Sequence, residues 1–160
     1  GTPWNEGWEG WTFDDDAKEG ARGAVSSISF GFWDDSLGSD YSVKWQYDKA
    51  ANSYKRFNAG EPHIDFNNKK QLTAKNVVVI FVDESEANDG YEHGQHMLYD
   101  VLGEGKAIMF HNGEAIKGTW TKAKATDMMR FYDSDDKEIS FVRGKIWIEV
   151  LPTGNEVEYM

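Results

Sequence analysis

Apolar and polar residues alternate with a period of two along much of the chain, the spacing of strands that bury one face. Ile28, Phe30 and Phe32 fall on one side of a segment whose other side is Ser27, Ser29 and Gly31. The alternation is cleanest at 41–47, where Tyr41, Val43, Trp45 and Tyr47 oppose Ser42, Lys44 and Gln46. A short loop at 50–52 then returns the chain through 54–57, which predicts a hairpin. Asn76–Val82 departs from alternation: it is apolar and β-branched at nearly every position. A strand covered on both faces reads that way, so it is expected at the centre of a sheet. Residues 84–94 are polar and contain Asn88-Asp89-Gly90, which predicts a surface loop, and 97–102 a further strand.

One hairpin can be placed in register. Asn112-Gly113 is the strongest short hairpin signal, because a type I′ turn needs positive φ at both central residues. It sets His111 opposite Glu114, Met109 opposite Ile116 and Ala107 opposite Gly118. Met109, Ile116 and Trp120 then share one face, Ile108, Phe110 and Ala115 the other, and both faces need cover. Residues 121–129 read as the one helical turn of note. Arg130–Asp133 and 138–142 form a third hairpin across Asp135-Asp136. Residues 145–151 alternate Ile146, Ile148 and Val150 against Trp147 and Glu149 until Pro152. The chain is thus expected to be mainly β: an antiparallel sandwich or partly open barrel of roughly eight strands, with at most one or two short helices.

Composition adds organisation. Aromatic residues are 14% of the 160, with 16 Gly and 3 Pro, a mixture that favours strands and tight turns over helices. Residues 1–23 differ from the rest. Trp4, Trp8 and Trp11 are interleaved with Gly7 and Gly10 before Asp14-Asp15-Asp16, with no strand or helix period. They are expected to be an N-terminal arm or linker laid over a β domain at 24–160. The 17 Lys and Arg against 28 Asp and Glu leave a net charge of −11, which argues against a phosphate-backbone partner. No apolar run approaches the ~20 residues of a spanning helix, so no direct membrane insertion by this segment is expected. Cysteine is absent, which excludes disulfides, thiolate nucleophiles and zinc–thiolate sites within these residues. The start at Gly1-Thr2-Pro3-Trp4, without an initiator Met, reads as a processed piece.

Several short motifs occur together in order. They are Tyr54-Lys55-Arg56, Gly60-Glu61-Pro62-His63-Ile64-Asp65, Gln71-Leu72-Thr73-Ala74-Lys75-Asn76, and Gly105-Lys106-Ala107. Asn112-Gly113, Lys117-Gly118-Thr119-Trp120, Arg130-Phe131-Tyr132-Asp133 and the tail from Lys145 to Pro152 follow. In these the chain resembles the YerB-like lipoprotein family over about residues 24–152, which correspond to that family's C-terminal domain. The resemblance implies an exported bacterial lipoprotein with a larger N-terminal domain and no assigned activity. Two departures stand out: Asp136 occupies a turn position where glycine is expected, and 84–94 is longer than the usual connection.

Candidate chemistry centres on Arg56. With Tyr54 inward beside Trp45 and Tyr47, Arg56 points the same way, and a guanidinium near a core must be paired or stacked. His63 and Asp65 follow closely and Asn76 opens the central strand; Trp120 and Arg130 complete a candidate polar pocket. That pocket could grip a ligand carboxylate or sugar hydroxyls, or be an internal Arg–Asp–His network pinning a loop. His93 and His96, with Glu92 and Asp89, are expected to be loop residues and no metal site is assigned. Asp133 to Glu138 lacks the glycine and the reach of a calcium loop and reads as a hairpin turn. Trp4, Trp8, Trp11 and Trp33 could offer a sugar-stacking platform, or bury into a core or interdomain contact.

No Gly-x-Ser-x-Gly elbow or phosphate loop is present, so no catalytic residue and no cofactor is implied. The expectation is a non-catalytic binding or scaffolding domain, extracytoplasmic and anchored through an upstream lipidated cysteine of its parent. Its partners would be its own N-terminal domain, an envelope protein or a wall polymer. The rivals are a hydrolase of wall glycan or peptide using carboxylates near Arg56, His63 and Asp65, and a carbohydrate-binding module.

Overall fold

The computed structural model describes residues 9–33, 40–90 and 96–160. In chain order the first strands are β1 (Phe13–Asp14), β2 (Ser27–Gly31), β3 (Ser42–Asp48), β4 (Ser53–Asn58) and β5 (Glu61–Pro62). Then come β6 (Thr73–Ala74), β7 (Asn76–Val82), β8 (Glu84–Glu86), β9 (Met97–Tyr99) and β10 (Gly103–His111). The last are β11 (Glu114–Lys122), β12 (Arg130–Asp133), β13 (Phe141–Val142), β14 (Ile146–Pro152) and β15 (Glu158–Tyr159). The helical content among the described residues is one 3-10 turn, Glu19–Ala21.

Two open sheets stack as a sandwich. One runs β12-β11-β10-β7-β14; the other runs β15-β2-β3-β4-β5, with β6 also pairing to β4. Between them lie Ile28, Trp45 and Tyr54 from the second sheet and Val77, Val79 and Phe110 from the first. The even-numbered residues of β7, Val78, Ile80 and Val82, face away and are covered by Phe131, Phe141 and Trp11. Covered on both faces, β7 is central, as its unbroken apolar run requires. Its two neighbours differ in direction: β10 is antiparallel, whereas β14 is parallel from Ile146↔Asn76 to Pro152↔Val82. A parallel partner cannot follow through a tight turn. Here it arrives only after β8 to β13 have been laid down.

The Asn112-Gly113 turn has φ of 52° and 70°, and the register is His111↔Glu114, Met109↔Ile116 and Ala107↔Gly118. Asp136 sits at φ 57°, the left-handed conformation for which glycine was expected. Asp133 Oδ1 holds that turn by accepting the N–H groups of Asp135 and Lys137.

Two expectations are corrected. Residues 121–129 are not a helical turn: β11 carries Thr121 and Lys122 against Glu104 and Gly103 before a turn in which Asp127 N–H donates to Lys124 O. Cross-strand pairing overrides the helix propensity of a short Lys/Ala/Met stretch. Residues 84–94 are not all loop either, since β8 pairs with β9 in register Glu84↔Tyr99.

The described part of the arm lies against the β domain. β1 runs parallel to β13, Trp11 packs on Phe141 with centroids 4.8 Å apart, and its Nε1 donates to Met129 O at 2.7 Å. Asp16 accepts from Lys75 Nζ at 2.7 Å, and that bond and ion pair hold its carboxyl below the usual range.

Candidate functional site

The β3–β4 register sets Arg56 opposite Trp45, and the alternation of β4 turns Tyr54 and Arg56 into the sandwich. The guanidinium meets Glu149, which β14 presents from the facing sheet. Arg56 Nε donates to Glu149 Oε1 at 2.9 Å, and Trp45 Nε1 donates to the same oxygen at 3.0 Å. The Trp45 and Trp147 rings flank the guanidinium carbon at 5.8 and 5.2 Å. Arg56 Nη1 lies 2.6 Å from His63 Nδ1. A guanidinium can only donate, so Nδ1 accepts and the imidazole is neutral. Burial, reinforced by the Arg56 charge, pulls the His63 pKa below 6.5. At 5% and 4% exposure, Arg56 and Glu149 are closed to any ligand.

Of the six candidate residues, the fold brings Arg56 and His63 together and sets the other four elsewhere. Asp65 opens a tight turn: its Oδ1 accepts the N–H groups of Asn67 and Asn68 at 2.8 and 3.0 Å, its N–H donates to Lys70 O, and its carboxyl titrates low through those N–H bonds. The acid of the internal network is therefore Glu149, not Asp65. Asn76 exchanges hydrogen bonds with Val142, Nδ2 to O and N–H to Oδ1, both 2.8 Å, and staples β7 to β13. Trp120 donates to Phe81 O at 3.0 Å. Arg130 pairs with Glu138 at 2.8 Å and donates to the carbonyls of Glu9 and Gly10. Glu149 escaped the sequence reading, yet one signal was there: it is the lone acid on the Trp147 face of a strand with no other charge.

Of the tryptophans, Trp11 is spent on packing, whereas Trp33 is 47% exposed and set edge-on to Tyr41. Trp4, Trp8, Glu92 and His93 lie outside the described residues. His96 Nδ1 is 2.6 Å from Asp89 Oδ2. Among the described residues no group of three His, Cys, Asp or Glu side chains is placed to hold a metal ion.

The open site is a groove of about 740 Å³ beside Trp120, which arises from unequal ladder lengths. The β7–β10 ladder stops at Ala107↔Ile80, while β10–β11 continues to Gly103↔Lys122 and β7–β14 to Val82↔Pro152. Gly105 stands directly opposite Trp120. A Cβ there would be 2.5 Å from the indole nitrogen and 2.7 Å from Phe81 O. Its absence lets the indole fold across and satisfy the carbonyl left at the end of the ladder. Phe81, the one residue of β7 not fully buried, and Ile108 form the apolar floor; Asp83, Asp100, Glu104, Lys106 and Lys117 stand around it. Thr153–Asn155 close one side, tied down by Asn155 Nδ2 donating to Gly31 O at 2.8 Å.

Residues 35–148 match the family model described as "Protein of unknown function (DUF3048) C-terminal domain". "Putative lipoprotein YerB" of Bacillus subtilis (strain 168) is 28% identical over 110 residues, 69% of this chain and 31% of its own length. A crystal structure of YerB protein from Bacillus subtilis superposes with a TM-score of 0.67 at 21% identity, over 92% of this chain and 46% of that one. That likeness shows a shared fold. The chain spans about a third of the curated relative and under half of the solved chain.

Proposed function

Since the chain belongs to the DUF3048 C-terminal domain family, we propose that it is a non-catalytic binding or scaffolding domain of an exported lipoprotein at the cell envelope. The observation that carries this reading is the division of polar chemistry. The residues that looked most reactive, Arg56 and His63, are tied into an internal network through the buried acid Glu149. The open groove is walled by apolar side chains and solvated charges, the make-up of a surface that can hold a ligand. The lipoprotein relative supports an extracytoplasmic location, with the parent tethered through a lipidated cysteine upstream and the domain working with its N-terminal companion, an envelope protein or a wall polymer.

Sedimentation with purified cell-wall sacculi tests the reading. The expected result is co-sedimentation of the protein with no release of soluble fragments. Release of new reducing ends or free amino groups by the purified protein would establish the hydrolase instead.

A further inference from the structure

We propose that the groove beside Trp120 binds a short peptide with free ends, its carboxylate between Lys106 and Lys117 and its ammonium beside Asp83 and Asp100. The inference rests on reading the domain as a binding module and names the ligand class of its open site.

Shape comes first. The groove, at about 740 Å³, falls within the roughly 300–1,000 Å³ of small-ligand sites. Its floor is apolar: Phe81 and Ile108 are half-buried, and Leu102 at the rim is 45% exposed. The backbone beneath can be covered without penalty at its most vulnerable point, because the Phe81 carbonyl already accepts from the Trp120 indole. A ligand that displaced water here would gain hydrophobic contact without stranding the Phe81 carbonyl.

Charge then selects the ligand. Lys106 lies opposite Thr119 and Lys117 opposite Ile108, so the two lysines are diagonal neighbours on one face of the ribbon. Diagonal Cα atoms are about 7–8 Å apart, within reach of long side chains, so both ammonium groups can converge on one carboxylate. In a chain of net charge −11 such lysines would be expected to have acidic partners. Yet among the described residues the ion pairs use other lysines: Lys55 with Asp48 and Lys75 with Asp16. The Lys117 ammonium lies 5.9 Å from the centre of the Tyr159 ring. Asp83 and Asp100 are held side by side, Asp100 N–H donating to Asp83 O at 3.0 Å. With Glu104, which lines the groove two residues from Lys106, they supply negative charge for an ammonium. A polyanion would meet those acids and the overall negative field; a neutral sugar would leave both charge pairs unused. One positive and one negative end joined by a partly apolar body fits all three features.

The test uses pentaalanine with free ends, its C-terminal amide and its N-acetyl form, added at millimolar concentration to the isotope-labelled domain. Free pentaalanine is expected to shift the Gly105 and Lys106 amide signals and the Trp120 indole N–H signal. Amidation or acetylation should each weaken binding about fivefold, the scale of a solvent-exposed ion pair. A Lys106→Met/Lys117→Met variant, whose substitutions are at exposed positions and whose spectrum reports retained folding, should bind the free and amidated peptides alike. Absence of shifts, shifts centred on another face, or equal affinity for all three peptides with the wild-type chain would overturn the proposal. Co-sedimentation with sacculi alongside any of those results would leave the binding-domain reading standing, whereas release of fragments would remove that reading itself.

Discussion

Arg56 and Glu149 meet across the sandwich, Nε to Oε1 at 2.9 Å, from strands in different sheets and 93 residues apart in sequence. Both side chains are out of solvent, so removing one partner leaves the other's charge uncompensated. Arg56→Met or Glu149→Leu is expected to cost about 3–5 kcal/mol, read as a shift in urea midpoint. The double variant Arg56→Met/Glu149→Leu should recover most of that loss, retaining about 1 kcal/mol for the acceptor withdrawn from Trp45 Nε1. Additive losses would mean the two groups are not a coupled pair.

His63 makes stability depend on pH. Its pKa is lowered in the folded state by burial and by Arg56, and that of His111 is lowered by burial. Above 6.5 both states are neutral and the contribution is complete. As pH falls through 6.5 the unfolded chain takes up protons that the folded chain refuses, so stability declines until the lower folded pKa values are reached. Urea midpoints should therefore drop between pH 7 and pH 5 (a window set about the ordinary histidine value). His63→Gln, which keeps an acceptor but cannot titrate, should make that drop shallower. An unchanged slope would mean His63 is not held neutral.

Gly105→Ala places a methyl 2.5 Å from Trp120 Nε1 and 2.7 Å from Phe81 O, the second a backbone atom with little room to move. The expected cost is about 1–3 kcal/mol with a displaced Trp120 indole N–H resonance. Gly20→Ala meets nothing within 4 Å and should stay within about 0.5 kcal/mol of the parent.

Trp11→Ala tests whether the arm belongs to the core. Trp11 is half-buried between Phe131 and Phe141, so the loss should be about 2–3 kcal/mol, below the 3–5 of a fully enclosed aromatic. Limited proteolysis should then cut within residues 13–23. An unaltered midpoint would make the arm an ornament on an independent domain.

Much of the fold was legible because it is written locally. Asn112-Gly113 dictated a turn whose geometry propagates nine paired residues along β10 and β11, and the continuous apolar run of β7 announced a strand enclosed on both sides. The inward turn of Arg56 was legible from Tyr54 two residues earlier. What Arg56 meets was not, because alternation tells which face a side chain occupies and nothing about the strand lying across from it. Glu149 comes from a parallel partner that no hairpin signal could locate. The groove escaped for the same reason. It is the difference in length between two ladders, and neither end is marked by a residue pattern.

Consequences for biogenesis follow from β14. The parallel flank of β7 and the counter-charge of Arg56 are both supplied by residues 146–152. A polypeptide emerging from its N-terminus first therefore carries an unmatched guanidinium and an uncovered strand until residues 146–152 are available. Exposed apolar surface and an unpaired strand edge of that kind favour aggregation. A chain trimmed back past Trp147 would lose that flank and that counter-charge together, and is expected not to fold.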